Sequence, residues 1–334
     1  MQKTRVSLAD IETTARTALM AHGALGWIAD EVAKAVRMAE ATGNVICGLY
    51  YLESYCKQLL SGRVKGNVEP LVRQARPAAI EVDALYGFAQ PAFARGLDMA
   101  VAAAREMGSC AFAIRHSHTC TSLGYFTEQI AGKGLIGLGF TNASAVVAPP
   151  GGNKPVLGTN PMAMAVPARQ GGVAFQFDQS TSAIAMGKIT MAASAGQPIP
   201  LGWAVDADGN PTTDAKAALK GSMLSMGGYK GWGLGLMVEM LAACLTGTIN
   251  SLDSSALKAP DGPPHNFGQF YFLLDPEVFA GEAFWQGLQK VSDAVAAQPG
   301  ARLPGANRRL PEAVEIDADL WVLAQALAQA TPAA

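Results

Sequence analysis

The sequence predicts an α/β protein in which a helical N-terminal layer is followed by a mixed α/β region. Apolar residues recur at helical spacing through the N-terminal part, whereas short apolar runs typical of buried strands appear after residue 109. Half of the 334 residues are apolar, so the chain can bury a large core. This length predicts about two domains, or one large domain with an insertion.

Four helices are predicted in the N-terminal layer. Ser7 is the expected N-cap of the first helix, and Gly23 ends it. The second and third helices are predicted over residues 29–41 and 49–60, each closed by a glycine. The fourth, over residues 91–106, begins with a proline in its first turn, where the missing N–H does no harm.

The mixed region alternates strands with helices. The predicted strands are 110–114, 136–142, 162–166, 173–178 and 269–274. The predicted helices are 123–131, 231–245 and 312–330. Residues 197–216 and 252–266 are rich in turn-forming residues and predict surface loops.

Composition and charge exclude several function classes. The net charge is −2 and no basic block is long enough to follow a nucleic acid backbone. The five cysteines include no C-x-x-C pair, and the N-terminus has no signal-peptide core, so a reducing, cytoplasmic location is expected. The apolar run 232–249 carries Glu239 in its middle, which favours a buried helix over a membrane span.

One segment, G-K-G-L-I-G at 132–137, matches the dinucleotide-binding fingerprint literally. A Rossmann fingerprint follows a strand and opens a helix, because the pyrophosphate binds at that helix N-terminus. Here a predicted helix precedes the glycines and a strand follows them, so they are interpreted as turn glycines. A second candidate, G-W-G-L-G at 231–235, opens a helix without a preceding strand and fits either a ligand contact or helix packing.

His116 and His118 follow the first predicted strand of the mixed region. A metal site would recruit Cys120 as a third ligand, but a fourth ligand and a supporting acidic cluster are missing. Two interpretations remain: histidines hydrogen-bonded at a strand end, or histidines at the mouth of a cofactor cleft, where α/β proteins collect ligands.

Short motifs follow one another along nearly the whole chain. They are S-H at 117–118, G-Y at 124–125, T-N at 141–142, P-P-G-G at 149–152, G-T-N-P at 158–161, F-D at 177–178, T-S-A at 181–183, D-A-D-G-N-P-T at 206–212, G-G-Y-K-G at 227–231, Glu239, and R-L-P-G at 302–305 with Arg308. Each is weak alone, but together they resemble the malate/L-lactate dehydrogenase family, a group without a Rossmann fold. Residues 87–92 and 183–185 are most similar to the branch that reduces Δ1-piperideine-2-carboxylate and Δ1-pyrroline-2-carboxylate with NADPH.

The resemblance implies a fold and an assembly. It implies a non-Rossmann NAD(P)-binding domain on a mixed or antiparallel sheet, plus a helical domain built from both termini. The corresponding segments are a helical N-terminal part (1–108), a cofactor-binding α/β domain (109–250) and a C-terminal part returning to the helical domain (251–334). It also implies a homodimer, with NADP, or alternatively NAD, in a cleft between the domains near the subunit interface.

The family's contacts carry over onto named positions. Cofactor contacts fall on His118, Thr119, Cys120, Thr121, Ser122, Leu123, Asp178, Gln179, Ser180, Tyr229, Lys230, Arg302, Pro304, Gly305 and Arg308. Substrate contacts fall on Thr159, Met186 and Gly187. The basic side chains of Lys230 and Arg308 suit phosphate oxygens.

The chain departs from the family's pattern before the third helix. The family carries a Ser-His pair before a glycine and an Arg three residues after it, where the His donates a proton and the Arg binds the substrate carboxylate. In this chain Gly48 is retained, but Ile46, Cys47 and Tyr51 occupy those three positions. The catalytic candidates are therefore Cys47, Tyr51 and His118, although Cys47 could equally be a packed apolar residue.

This departure bears on the substrate. Hydride addition to a ketone forms an alkoxide, which needs a positioned acid, whereas addition to a protonated cyclic imine forms a neutral amine. The sequence therefore predicts an NAD(P)H-dependent imine reductase acting on a small-molecule carboxylate. The alternatives are a 2-hydroxy acid or 2-oxo acid dehydrogenase, and a catalytically degenerate member that binds a nucleotide.

Overall fold

The computed structural model describes residues 2–306 and 308–330. The helices are α1 (Leu8–Ala21), α2 (Gly26–Ala41), α3 (Leu52–Ser61), α4 (Ala89–Met107), α5 (Gly124–Gly132), α6 (Met186–Ser194), α7 (Ala215–Lys220), α8 (Tyr229–Glu239), α9 (Pro276–Phe279), α10 (Glu282–Ala296) and α11 (Ala318–Ala328). The strands are β1 (Lys3–Ser7), β2 (Leu71–Arg76), β3 (Ala79–Asp83), β4 (Ser109–Ser117), β5 (Ile136–Thr141), β6 (Met162–Pro167), β7 (Val173–Gln179), β8 (Ala204–Val205), β9 (Ser222–Met223), β10 (Phe267–Leu274) and β11 (Ala313–Asp317). No helix among these residues is both long and apolar enough to cross a membrane.

A mixed sheet of seven strands forms the centre of the fold, in the order β2-β3-β4-β10-β5-β6-β7. Only β3 and β4 run parallel, and the other neighbours are antiparallel. The C-terminal strand β10 lies between β4 and β5, so the middle of the sheet forms only after most of the chain is available. The mixed sheet confirms the expected fold class.

Aromatic packing fixes α4 and α5 against this sheet. The rings of Phe93, Phe112, Phe126 and Tyr271 form one buried cluster, with Phe93 and Phe126 centroids 5.0 Å apart. Burying one such ring contributes roughly 2–3 kcal/mol. A Cβ on Gly96 would lie 2.6 Å from the Phe112 ring, so the absence of a side chain there allows α4 to approach the sheet closely. This packing holds the N-terminus of α5 in place.

Both ends of the chain build the helical layer. Helices α1, α2, α3 and α11 share a core in which residues such as Ile11, Leu19 and Val32 are fully buried. Strand β1 pairs antiparallel with β11, with Val6 opposite Val314. As predicted, Ser7 caps α1, and its Oγ accepts the N–H of Asp10 at 3.0 Å.

The structure corrects the sequence prediction at the C-terminus. Residues 312–330 were expected to be one helix, but residues 313–317 form strand β11 before α11 begins. Tertiary structure causes the difference, because residues 313–317 pair with β1 in a two-stranded antiparallel sheet that joins the two ends of the chain. Strands β1, β2 and β3 and helix α10 were also missed. The division of the chain into three segments remains a prediction.

Candidate functional site

The glycines at 132–137 make a turn, as predicted. Helix α5 ends at Gly132, Gly134 adopts a left-handed conformation with φ 82°, and strand β5 begins at Ile136. The helix precedes the glycines, so their N–H groups do not open a helix that could bind a phosphate.

The main cleft lies elsewhere, against the opposite end of α5. It has a volume of about 780 Å³ and lies between the end of α2, the start of α5, strand β7 and the loop at 302–309. Its lining residues are Met38, Ala39, Ala41, Thr42, Gly43, Asn44, Ser122, Gly124, Tyr125, Glu128, Gln176, Asp178, Arg302, Gly305, Ala306, Arg308 and Arg309. A volume in this range suits a ligand of cofactor size.

Asp178 connects β7 to the start of α5. Its Oδ2 accepts the N–H of Gly124 at 2.7 Å and the hydroxyl of Ser122 at 3.4 Å. The carboxylate reaches the cleft, yet the protein around it restricts its hydration, and this desolvation raises its pKa despite those hydrogen bonds. The carboxylate thus occupies the helix N-terminus, where backbone N–H groups favour a negative charge.

Gln176 holds the arginine-bearing loop against the same helix. Its side-chain amide donates to Gly124 O and accepts from Arg308 Nη2, while its backbone N–H donates to Pro304 O at 2.8 Å. Gly305 adopts φ 66°, and a Cβ there would lie 3.0 Å from Gln176 O. Residues 304 and 305 are therefore held against Gln176, and Arg308 bonds to the same glutamine and lines the cleft.

The segment that departs from the family pattern forms two short 3-10 turns, Val45–Cys47 and Leu49–Tyr51, before α3. The buried carboxylate of Glu40 accepts the N–H of Leu49 at 2.8 Å, and burial raises its pKa. A Cβ on Gly48 would collide with the Glu40 side chain, which explains the glycine at this position. The turn positions Ile46 next to Gly187, whose added Cβ would lie 3.4 Å from Ile46 Cδ1.

Cys47 is a half-buried thiol with no formal charge at neutral pH. Burial raises its pKa to about 12, assisted by the negative charge of Asp178 and opposed by a hydrogen bond from Asn44. Asn44 also donates to Ser122 Oγ at 3.3 Å, so it connects the turn to the cleft wall. Burial likewise raises the pKa of the Tyr51 phenol to about 12. Both groups therefore retain their protons throughout the neutral range.

His118 is fully buried and does not line the cleft. Its Nε2 lies 2.8 Å from Gln58 Oε1, and its ring stacks on His265 with centroids 4.1 Å apart. Burial and the charge of nearby Arg63 lower the pKa of His265 to about 3, and burial lowers that of His118 well below its usual value. No group of three His, Cys, Asp or Glu side chains suited to a metal occurs in residues 2–306 and 308–330.

Thr159 lies on a turn fixed by a buried polar network. Its neighbour Asn160 has φ 34° and donates to Glu239 Oε2 at 2.8 Å. Glu239 also accepts the N–H of Ser251 at 2.7 Å and its hydroxyl at 2.6 Å. The N–H of Thr181 bonds to Thr159 O at 2.9 Å, so the threonine side chain is carried on a rigid backbone.

Apart from the buried His118, the predicted cofactor residues separate into three groups. Those lining the cleft are Ser122, Asp178, Arg302, Gly305 and Arg308. Those adjoining it in the chain are Thr119, Cys120, Thr121, Leu123, Gln179, Ser180 and Pro304, of which Cys120 and Leu123 are buried in the sheet core. Tyr229 and Lys230 begin α8, are exposed and stand outside the cleft lining.

Several lining residues were missed by sequence reasoning. Asn44, Tyr125, Glu128 and Gln176 line the cleft, but only Tyr125 falls within a quoted motif. Gln176 carried a usable signal, since a polar residue at the inward position of an apolar strand usually bonds something specific. The end of α2 carried none, because only tertiary packing brings it to α5.

Comparisons with known proteins agree with this architecture. A family model described as "Malate/L-lactate dehydrogenase" matches residues 6–323. The chain is 40% identical over 320 residues to a (2R)-3-sulfolactate dehydrogenase (NADP(+)) of Chromohalobacter salexigens, covering 92% of this chain and 95% of that protein. It is 39% identical over 305 residues to a Delta(1)-pyrroline-2-carboxylate reductase of Pseudomonas fluorescens, covering 91% and 90% of the two chains.

A solved structure gives the same result. The delta1-piperideine-2-carboxylate reductase from Pseudomonas syringae pvar. tomato superposes with a TM-score of 0.89 at 33% identity, covering 98% of this chain and all of that one. The family resemblance drawn from the motifs is confirmed. The chain belongs to the malate/L-lactate dehydrogenase family, a family of oxidoreductases.

Proposed function

We propose that this protein reduces a cyclic imine carboxylate, Δ1-pyrroline-2-carboxylate or Δ1-piperideine-2-carboxylate, to L-proline or L-pipecolate with NADPH. The observation that carries the proposal is the neutral set Ile46, Cys47 and Tyr51 beside the cleft. Both ionisable members hold their protons at neutral pH. Such a site suits a substrate that is protonated before the reaction better than one that must be protonated during it.

The residues present fit a nicotinamide dinucleotide. Arg302, Arg308 and Arg309 line one side of a cleft of about 780 Å³, and arginines bind phosphate oxygens well. Gly305 keeps the loop backbone clear of a side chain next to Gln176. When bound, the cofactor would supply the hydride. NADP is the preferred cofactor in this proposal, and NAD is the alternative.

The side chains beside the cleft would then donate a proton and contact the substrate. A substrate that arrives as the protonated imine needs no proton from the protein, whereas a neutral imine could take one from the Cys47 thiol, which is protonated at neutral pH. Tyr51 packs beside it with its own proton retained. Thr159, Met186 and Gly187 would contact the substrate, and Gly187 lies against Ile46 at the other side of the turn. Positioned proton donors typically contribute factors of about 10² to 10⁴ in rate.

The alternative is a 2-hydroxy acid dehydrogenase, favoured by the similarity to a sulfolactate dehydrogenase. The test is NADPH oxidation by the purified protein against Δ1-pyrroline-2-carboxylate, Δ1-piperideine-2-carboxylate, pyruvate, oxaloacetate and 3-sulfopyruvate. Turnover with the imines alone supports the proposal, and preference for a keto acid contradicts it. NADPH binding without any turnover would instead indicate a degenerate, ligand-binding member.

A further inference from the structure

The loop at 254–266, after the buried Ser251, is tied down by side chains from α3 and the residues that follow it. Arg63 is only 1% exposed, and its guanidinium donates to Ala259 O at 2.6 Å and Ala256 O at 3.0 Å, with further bonds to this loop. Gln58 donates to Leu257 O and Ala259 O, both at 2.8 Å. A buried arginine is rare unless its donors are satisfied, so this loop backbone has a defined position.

This loop places Lys258 next to Tyr50 and Tyr51, the two tyrosines of the second 3-10 turn. Its ammonium lies 3.5 Å from the ring centroid of Tyr50 and 5.6 Å from that of Tyr51, and it donates to Tyr50 O at 3.3 Å. Within the described residues these contacts are with aromatic faces and a carbonyl, and none is with a carboxylate. The lysine thus keeps its positive charge free to meet an anion.

Tyr51 connects this cation to the candidate site. Cys47 ends the first of the two consecutive 3-10 turns and Tyr51 ends the second, so both belong to one short, ordered segment. Residue 51 is the position where the family's carboxylate-binding arginine is expected, and tyrosine cannot supply that charge. Lys258 supplies a positive charge at the same tyrosine from a different part of the chain.

We propose that Lys258 binds the carboxylate of the substrate, in place of an arginine at position 51. The inference rests on the proposed function, since it requires a carboxylate-bearing substrate. A lysine recognises a carboxylate as a point charge, without the paired geometry of a guanidinium. The tyrosine rings contact the ammonium by cation–π interaction, and the lysine remains exposed.

Steady-state kinetics with Δ1-pyrroline-2-carboxylate test the assignment. Lys258→Ala is expected to raise KM by about tenfold to a hundredfold, as for loss of a charge-assisted hydrogen bond, with kcat changed much less. Lys258→Arg should restore most of the lost affinity. Lys65→Ala is the matched control, because the Lys65 ammonium also lies over a tyrosine ring, 5.6 Å from the centroid of Tyr86. Equal KM in wild type and Lys258→Ala would overturn the assignment.

Binding measurements separate this inference from the proposed function. We would titrate pyrrole-2-carboxylate and the uncharged pyrrole-2-carboxamide into the NADP-loaded enzyme by calorimetry. Loss of carboxylate binding in Lys258→Ala, with carboxamide binding unchanged, supports the inference. Equal loss of both ligands would assign Lys258 a structural role and overturn the inference. Lys188 follows Gly187 in α6 and is the other lysine beside the expected substrate contacts, so loss of carboxylate binding in Lys188→Ala but not in Lys258→Ala would also overturn it. No binding of either ligand to the wild type would overturn the proposed function itself.

Discussion

In the proposed function, the neutral side chains at positions 46, 47 and 51 decide the chemistry at the residue scale. Compared with the family's pattern, Ile46 stands where a serine hydroxyl is expected and Tyr51 stands where an arginine is expected. Cys47 is half-buried and keeps a proton that it can transfer. Desolvation keeps that thiol protonated, because burial penalises the thiolate. The residue can therefore serve only as a donor at neutral pH, and its contribution depends on whether the substrate already carries the proton.

This dependence predicts a pH-dependent effect of Cys47→Ala. At acidic pH the imine is protonated in solution, so kcat/KM of the variant should approach that of the wild type. At alkaline pH the imine is neutral and the missing donor should lower kcat/KM by about tenfold or more. The measurement is a pH–rate profile of both proteins, with Cys110→Ala, at a cysteine of β4 away from this turn, as control. A variant-to-wild-type ratio that is constant across pH would assign Cys47 to packing.

A second residue-scale prediction concerns Arg308. It faces the cleft and is held by Gln176 and Glu128. Arg308→Ala should weaken NADPH binding by about tenfold or more, because a guanidinium–phosphate contact is a strong charge-assisted bond. Fluorescence titration of NADPH measures the Kd. Arg169→Ala is the control, since Arg169 pairs with Glu282 on the surface. Unchanged NADPH affinity in Arg308→Ala would remove this residue from the proposed cofactor site.

At the scale of elements, the sequence predicted helix boundaries that depend on capping residues and glycines near them in the chain. Ser7 caps the start of α1 as expected, and α4 ends at Met107, one residue after its predicted end, where Gly108 adopts a left-handed conformation. Strand β2 was not found because it is polar and largely exposed, although its partner β3 follows directly in the chain. Strand β11 was not found because its partner β1 lies at the other end of the chain. The burial of His118 was also not predicted, since it depends on His265 arriving from a distant loop.

The stacked pair His118 and His265 makes the loop at 254–266 sensitive to acid. Both histidines have a folded-state pKa below the unfolded value, so the unfolded chain binds more protons between pH 3 and 6.5. The pair's stabilising contribution is complete above about pH 6.5 and declines as the pH falls. At pH 5, His265 alone should lower the free energy of unfolding by about 2 kcal/mol.

Chemical denaturation between pH 5 and 8 tests this prediction. His265→Asn should give a shallower decline of unfolding free energy below pH 6.5, because one titrating group has been removed. Above pH 7.5 the difference between the variant and the wild type should be constant, which provides an internal control. A decline as steep as that of the wild type would show that His265 is not responsible for the acid sensitivity.

At the scale of the whole molecule, the cleft unites segments that are distant in sequence. The end of α2, the start of α5, strand β7 and the 302–309 loop all line it. Strand β10 is inserted into the middle of the large sheet, and the two-stranded β1–β11 sheet joins the two ends of the chain. No local pattern specifies this arrangement, which explains why the motifs located the cleft only through the family resemblance.

One face of the molecule remains apolar and exposed. Helix α8 is followed by a π-helical turn over Met240–Cys244. Together with the next residue they expose Leu236, Met237, Met240 and Leu245. Exposed apolar clusters of this kind commonly mark interfaces between proteins. Tyr229 and Lys230, at the start of α8, are also exposed and outside the cleft lining. We therefore propose that two copies of the chain associate through this face, as the family resemblance implies.

Light scattering coupled to size-exclusion chromatography tests the assembly. The wild type should have about twice the 34.7 kDa mass of one chain. Met240→Lys places a charge on a side chain that is 45% exposed, so it should reduce the mass to that of one chain without unfolding it. Met107→Lys, at an equally exposed methionine ending α4, should leave the dimer intact. A monomeric wild type would contradict the homodimer, and a dimeric Met240→Lys would move the interface to another face.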